Sequence, residues 1–203
     1  MPATRKRRYR MTARAESAQA TRQRILNAAL ELFYESSYDE VTLEKVADRA
    51  GVALKTVLRR FDSKDGLLLA CAEEARRLEE SSRVVAPGDV GGAVDALAHR
   101  YEETMDIMAR YLAVQDRVAA VGRIINLARR THFKWLAKTF APHLPAPADR
   151  RHRRRLAQLF AATEIYVWHT FRRRLGFSFS AAHDVMSATV HELITQWERH
   201  ADA

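Results

Sequence analysis

Apolar residues recur three and four apart along most of this chain, and strict apolar–polar alternation is absent. That period belongs to helices, so an all-α protein is expected. The first clear stripe is Ile25, Ala28, Ala29, Leu32 and Phe33, closing near Ser36-Ser37-Tyr38-Asp39. A short second helix turns Leu43, Val46 and Ala47 inward, with Thr42 as its cap and Glu44 in its first turn. Gly51 supplies a residue that tolerates positive φ after a helix end. A third short helix runs from about Leu54 to Phe61, and Asp62-Ser63 offers a cap for a fourth over about Lys64 to Arg83. The stretch from Val84 to Gly92 breaks the pattern. Long helices are expected near 93–110, 112–120, 121–140, 150–175 and 181–200, with a Pro-containing interruption at 141–147 and Ser180 as the candidate cap of the last.

Composition adds a class and a compartment. Of 203 residues 47% are apolar and 29% charged, enough for a buried core under a charged surface. No apolar run approaches the length of a membrane span, and no apolar segment follows the basic N-terminus as in a secretory signal. The single cysteine, Cys71, excludes an internal disulfide framework and suits a reducing interior, so a cytoplasmic location without membrane contact is expected. Residues 1–14 hold Arg5, Lys6, Arg7, Arg8, Arg10 and Arg14 and no acid, so this segment carries six of the nine net positive charges. It reads as a disordered basic arm over 1–17, suited to a polyanion or simply to solubility. A second basic run, Arg150, Arg151, Arg153, Arg154 and Arg155, lies far downstream.

The strongest local signal is the pair of short helices about Gly51. Together they form a helix-turn-helix whose second helix suits the major groove of DNA. Around that helix Leu54, Val57, Leu58 and Phe61 fall on one side, and Lys55, Thr56, Arg59 and Arg60 on the other. The polar side offers donors to phosphates and bases, and no carboxylate.

The residues Ile25-Leu26-Asn27-Ala28-Ala29-Leu30-Glu31-Leu32-Phe33, Val41-Thr42, Gly51-Val52 and Phe61-Asp62-Ser63-Lys64 resemble, in order and spacing, the N-terminal domain of the tetracycline-repressor (TetR) family. The resemblance covers the first third of the chain; the remainder fits in length and helix count. It implies a three-helix DNA-binding domain over 18–63, joined by a fourth helix to a helical ligand-binding and dimerisation domain over 64–203. It implies phosphate contacts from Thr42, Thr56 and Lys64, base contact from Lys55, and a phosphate contact from Arg60 where the family commonly has histidine. Arg59 joins them on the polar face. The tyrosine usual at position 58 is Leu58 and the usual capping serine is Ala53. Leu54 and Leu58 therefore admit two readings, added core or apolar contact with thymine methyls, with Leu58 expected on the core side.

In the C-terminal part, helices 150–175 and 181–200 are apolar on two faces. The resemblance implies that the last two helices pair with those of a second copy as a four-helix bundle. Phe160, Val167, Phe171, Val185 and Ala188 are the expected interface residues. Tyr101, Met105, Met108, Arg123, Trp135 and Trp168 are the candidate lining of a pocket for a small-molecule effector, as the resemblance implies. No catalytic residue, metal site or cofactor is nominated. Asp184 and His191 stand seven apart, not at the four-residue spacing of a helical zinc site, and Gly88 to Gly92 lacks the residues of a phosphate loop. The expected function is a sequence-specific DNA-binding repressor, released from a pseudo-palindromic operator by its effector. The alternative is a small-molecule binding or signalling module without specific DNA recognition, suggested by Leu58 and Ala53.

Overall fold

In the computed structural model the described residues are 3–82 and 84–199, with side chains described over 15–77 and 84–199. Helices run α1 Ala3–Glu35, α2 Leu43–Ala50, α3 Leu54–Phe61, α4 Lys64–Ser82, α5 Val90–Leu112, α6 Ala119–Thr139, α7 Arg150–Thr163, α8 Ile165–His169 and α9 Phe179–Arg199, and no strand occurs among the described residues. The chain divides into two compact units, Met1–Leu78 and Glu79–Ala203. The first extends beyond the boundary expected at Lys64 because Leu67, Leu68 and Cys71 of α4 are buried within it, the Cys71 thiol lying 3.9 Å from the Leu26 carbonyl. Burial pushes that thiol up to about 12, as expected of a cysteine serving as packing.

α1 begins well before the expected start near Ala18. Its backbone is helical from Ala3, where a disordered arm was expected. Arginine, lysine, alanine and methionine dominate this segment, all strong helix formers, and no glycine or proline interrupts it after Pro2. The side chains of Arg5 to Arg14, and with them the expected contacts of the arm, lie outside the described residues.

The second unit also differs from the helical pattern read along the chain. α5 starts at Val90, inside the expected breaker, because Asp89 caps it: the Gly92 amide donates to the Asp89 carboxylate at 2.9 Å. The helix expected over 112–120 is absent. α5 ends at Leu112, and the Val114, Arg117 and Val118 amides close tight turns back to Tyr111 and Val114. The final helix starts at Phe179, with Ser178 rather than Ser180 capping it through the Ala181 amide.

The helix expected over 150–175 breaks at Glu164, whose backbone is extended (φ −73, ψ 138) and whose carboxylate accepts from the Tyr166 amide at 2.7 Å. The Thr163 carbonyl at the break accepts from the buried Tyr101 hydroxyl at 2.7 Å, and the Thr163 hydroxyl lies 3.0 Å from His132 Nε2. The next turn, Thr170–Arg174, is widened, the Leu175 amide reaching back five residues to the Thr170 carbonyl. These two irregularities rotate Trp168 out of the stripe extrapolated from α7 and into the core, where Nε1 donates to Glu102 at 3.1 Å. Arg172 donates to the same carboxylate at 2.7 Å and holds it below the usual range. The core gathers Leu97, Tyr101, Met105, Leu136, Phe140, Leu159, Trp168, Met186, Val190 and Trp197.

Tyr101→Phe keeps this packing and removes one hydroxyl, leaving a buried carbonyl unsatisfied at the break. A loss of about 1–3 kcal/mol in unfolding free energy is expected from denaturant titration. A midpoint unchanged from that of the parent protein would mean that the Thr163 carbonyl finds another donor.

Candidate nucleic-acid interface

The helix-turn-helix is assembled by two caps and a close approach. The Lys45 amide donates to the Thr42 hydroxyl at 3.3 Å, and the Glu44 carboxyl is held below its usual range by its own backbone amide and by the Thr42 hydroxyl. Gly51 adopts φ 62, ψ 44, so its amide and that of Val52 return to the carbonyls of Ala47 and Asp48. Val46, Ala47 and Ala50 of α2 are buried, as are Val57 and Phe61 of α3. Arg49 of α2 meets Glu35 of α1 at 2.7 Å, an exposed pair that orients more than it stabilises.

α3 ends in an abrupt corner. Asp62 has φ 66, its amide returning to the Leu58 carbonyl at 2.8 Å, and the Ser63 hydroxyl then caps α4 through the Gly66 amide at 3.1 Å. A Cβ on Gly66 would stand 2.2 Å from the Phe61 carbonyl oxygen, so only glycine lets α4 leave this close to α3. The Lys64 ammonium lies 4.0 Å from the centre of the Tyr38 ring, while the Tyr38 hydroxyl donates to Asp65. Tyr38 thus ties the loop after α1 to the start of α4. Sequence reasoning missed this anchor and Gly66; the aromatic end of the first helix hinted at the former, and nothing local marked the latter.

On this frame Lys55, Leu58 and Arg59 are exposed, while Leu54, Thr56 and Arg60 are half-buried. The expectation that Leu58 belongs to the core is corrected: it is 42% exposed. Val57 and Phe61 define the buried direction of this two-turn helix, and Leu58 falls on its flank beside Lys55 and Arg59. Arg22 closes the inner side, its guanidinium 5.6 Å from the Phe61 ring centre. Arg60 Nε is buried without a hydrogen-bond partner, so this side chain is held against the domain. Thr42, Lys55, Thr56, Leu58, Arg59, Arg60 and Lys64 thus occupy consecutive elements of one small domain, and α3 carries no carboxylate.

Residues 25–71 match the model of the family described as bacterial regulatory proteins, tetR family. This chain carries a DNA-binding domain of the tetR type. It is a DNA-binding transcriptional regulator, and members of the family are transcription factors rather than enzymes. The fold as a whole is similar to a transcriptional regulator from Rhodococcus sp. RHA1 (TM-score 0.68, 17% identity, covering 86% of this chain and 96% of that one). It is also similar to a tetR-family regulator from Streptomyces coelicolor (TM-score 0.65, 17% identity, 86% and 79% covered). A third similar structure is Salmonella enterica GusR (TM-score 0.61, 18% identity, 88% and 93% covered). No curated protein matches the chain.

The residues expected to line an effector pocket do not share one environment. Tyr101, Met105 and Trp168 are packed in the core, Met108 and Trp135 are half-buried, and Arg123 is exposed on α6. Arg123 is therefore corrected as a lining residue: it faces outward because Val121 and Ile125, two positions to either side, face in. The expected interface residues divide likewise. Phe160 stacks on Phe133 at 4.4 Å and Phe171 on Phe177 at 5.8 Å, both packed against the core, whereas Val185 and Ala188 are exposed. Val167 is half-buried. Among the described residues no helix is long and apolar enough to cross a membrane, and no cluster of three metal-ligating side chains occurs.

Lys64→Ala is expected to weaken binding to all duplexes alike and to lower the salt dependence by about one unit, whereas Lys55→Ala shifts sequence preference. Fluorescence anisotropy across a salt series, with a selected and a random duplex, separates the two. Unchanged salt dependence for Lys64→Ala would place the ammonium on Tyr38 and not on phosphate.

Proposed function

We propose that this regulator is a cytoplasmic homodimeric repressor, which leaves a pseudo-palindromic operator when a small molecule binds its second unit. The observation that carries the DNA side is α3: eight residues held by Val57 and Phe61, presenting Lys55, Leu58 and Arg59 to solvent with no acid among them. Thr42, Thr56, Arg60 and Lys64 are assigned to phosphates, Lys55 and Arg59 to bases, and Leu54 and Leu58 to thymine methyls. Exposure of a leucine between two cations favours specific recognition over the alternative of a module that no longer reads DNA.

The effector is assigned to the helices around Met108 and Trp135. A ligand reaching Tyr101, Met105 or Trp168 from there must displace packed core, which gives it different affinities for two arrangements of this unit. That difference is what release from the operator requires.

Selection from a random duplex library tests the recognition. It should return a palindromic site containing thymine, and replacing one thymine per half-site by deoxyuridine should weaken binding roughly fifteenfold, the value of two buried methyls at about 0.8 kcal/mol each. The same replacement should leave Leu58→Ala unaffected. A selection that enriches nothing would overturn specific recognition; enrichment without sensitivity to the methyl would return Leu58 to a filler role.

The dimer is assigned to the outward side of α9, where Val185, Ala188 and Thr189 are exposed. A twofold interface brings each substitution in twice, so Ala188→Arg sets like charges against each other in a desolvated patch. Light scattering should then report a helical monomer with operator binding lost. A variant that remains dimeric would move the interface elsewhere.

A further inference from the structure

Charge in the second unit is segregated by helix. α6 and α7 carry ten lysines and arginines between them and no aspartate or glutamate, whereas α5 and α9 carry seven acids. On α6 the exposed positions Arg123, Leu127, Arg130, Lys134 and Lys138 follow one another at three- and four-residue steps, a single outward row about 22 Å long at 1.5 Å per residue. On α7 the exposed row is Arg150, Arg153, Arg154, Ala157 and Ala161.

Both rows face the same way. The helices run antiparallel, since His132 meets Thr163, Phe133 stacks on Phe160, and the His143 carbonyl past the end of α6 accepts from Arg155 near the start of α7. In each helix the exposed row is centred one residue beyond the stacked phenylalanine, Lys134 after Phe133 and Ala161 after Phe160, about a quarter turn further round. The same offset on two opposed helices points both rows to one side, away from the core that receives Leu136 and Leu159.

Folding does not call for these charges. Arg150, Arg153 and Arg154 sit in the first turns of α7, where the helix dipole disfavours cations, and Arg130–Lys134, Lys134–Lys138 and Arg150–Arg154 are like-charge pairs four apart. Elsewhere this unit neutralises its arginines: Arg172 on Glu102, Arg173 on Asp106, Arg151 on Asp149. Among the described residues none of the seven exposed cations on the two rows has an ion-pair partner.

We propose that the α6–α7 face is a second, sequence-independent contact surface for the phosphate backbone of duplex DNA. Arginine predominates, as suits bidentate phosphate contact, and a duplex presents a run of phosphates along the length of the rows. The face lacks the apolar wedge that insertion into a membrane surface requires, Leu127 being its one large apolar residue, 38% exposed. The proposal is independent of operator reading by α3, because it concerns charge on other helices.

The test uses the full chain with α3 disabled by Lys55→Ala and Arg59→Ala. On this background Arg130, Lys134, Arg153 and Arg154 are all replaced by glutamine, a good helix former. Binding of a random-sequence duplex across a salt series is compared with binding to vesicles of mixed phosphatidylcholine and phosphatidylserine. Neutralisation is expected to weaken duplex binding at least tenfold at low salt and to lower the salt dependence by about three to four units. Helix content and thermal midpoint should hold, and a companion with lysine at the three arginine positions should bind duplex as its parent does. Equal duplex binding and salt dependence with and without the glutamines would overturn the proposal. So would vesicle binding that exceeds duplex binding and disappears in the glutamine variant, which would assign the face to lipid headgroups.

Discussion

An eight-residue helix in water has no stability of its own, because nucleation costs more than two turns of hydrogen bonds return. α3 exists only while Val57 and Phe61 are buried, and the interface depends on that burial. Holding the helix chiefly by two residues leaves one side of it open, so Lys55, Leu58 and Arg59 can face solvent together. It also makes the ends decisive. Gly51 in the left-handed region fixes the angle from α2, and Gly66, pressed to the Phe61 carbonyl, fixes the departure of α4. A recognition helix held this way is positioned by its neighbours' caps, and small changes at those corners re-aim every side chain on it.

The second unit meets a different constraint. Its α7–α8 segment must bury Leu159, Thr163 and Trp168, which do not lie on one stripe of a continuous helix. The chain breaks at Glu164 and widens at Thr170–Arg174, and the freed groups are satisfied by Tyr101 from α5 and by the capping carboxylate of Glu164. The arginines that follow are drawn onto Glu102 and Asp106 of α5. Apart from Arg151, which pairs with Asp149, the cations of the exposed α6 and α7 rows have no ion-pair partner among the described residues, and the asymmetry between the two sides of this unit is electrostatic rather than apolar.

Much of this was legible in the sequence. Helical periodicity gave the all-α class, and the helix-turn-helix was readable residue by residue, because caps, turn glycine and buried stripe are local signals that act within four or five positions. Thr42, Gly51 and Ser63 occupy the places their chemistry implies. What local pattern could not rank was competition among faces. Leu58 looked like core because leucine is apolar, but two neighbours already defined the buried direction of a helix too short to bury a third row. Phe160 and Phe171 looked like partner-facing residues because each helix was apolar on two sides; within the unit, Phe133 and Phe177 cover them.

By itself, then, the sequence determined the caps, turn glycine and buried stripes of the helix-turn-helix and its likeness to a tetR-type DNA-binding domain, since each rests on residues close in the chain. Tertiary structure alone decided the break at Glu164, the absence of a helix over 112–120, the outward turn of Arg123 and the alignment of two cationic rows on one face. The break and the alignment of the rows depend on partners tens of residues away, Tyr101 for Thr163 and Phe160 for Phe133, and periodicity along one helix carries no information about which neighbour will fill the other side.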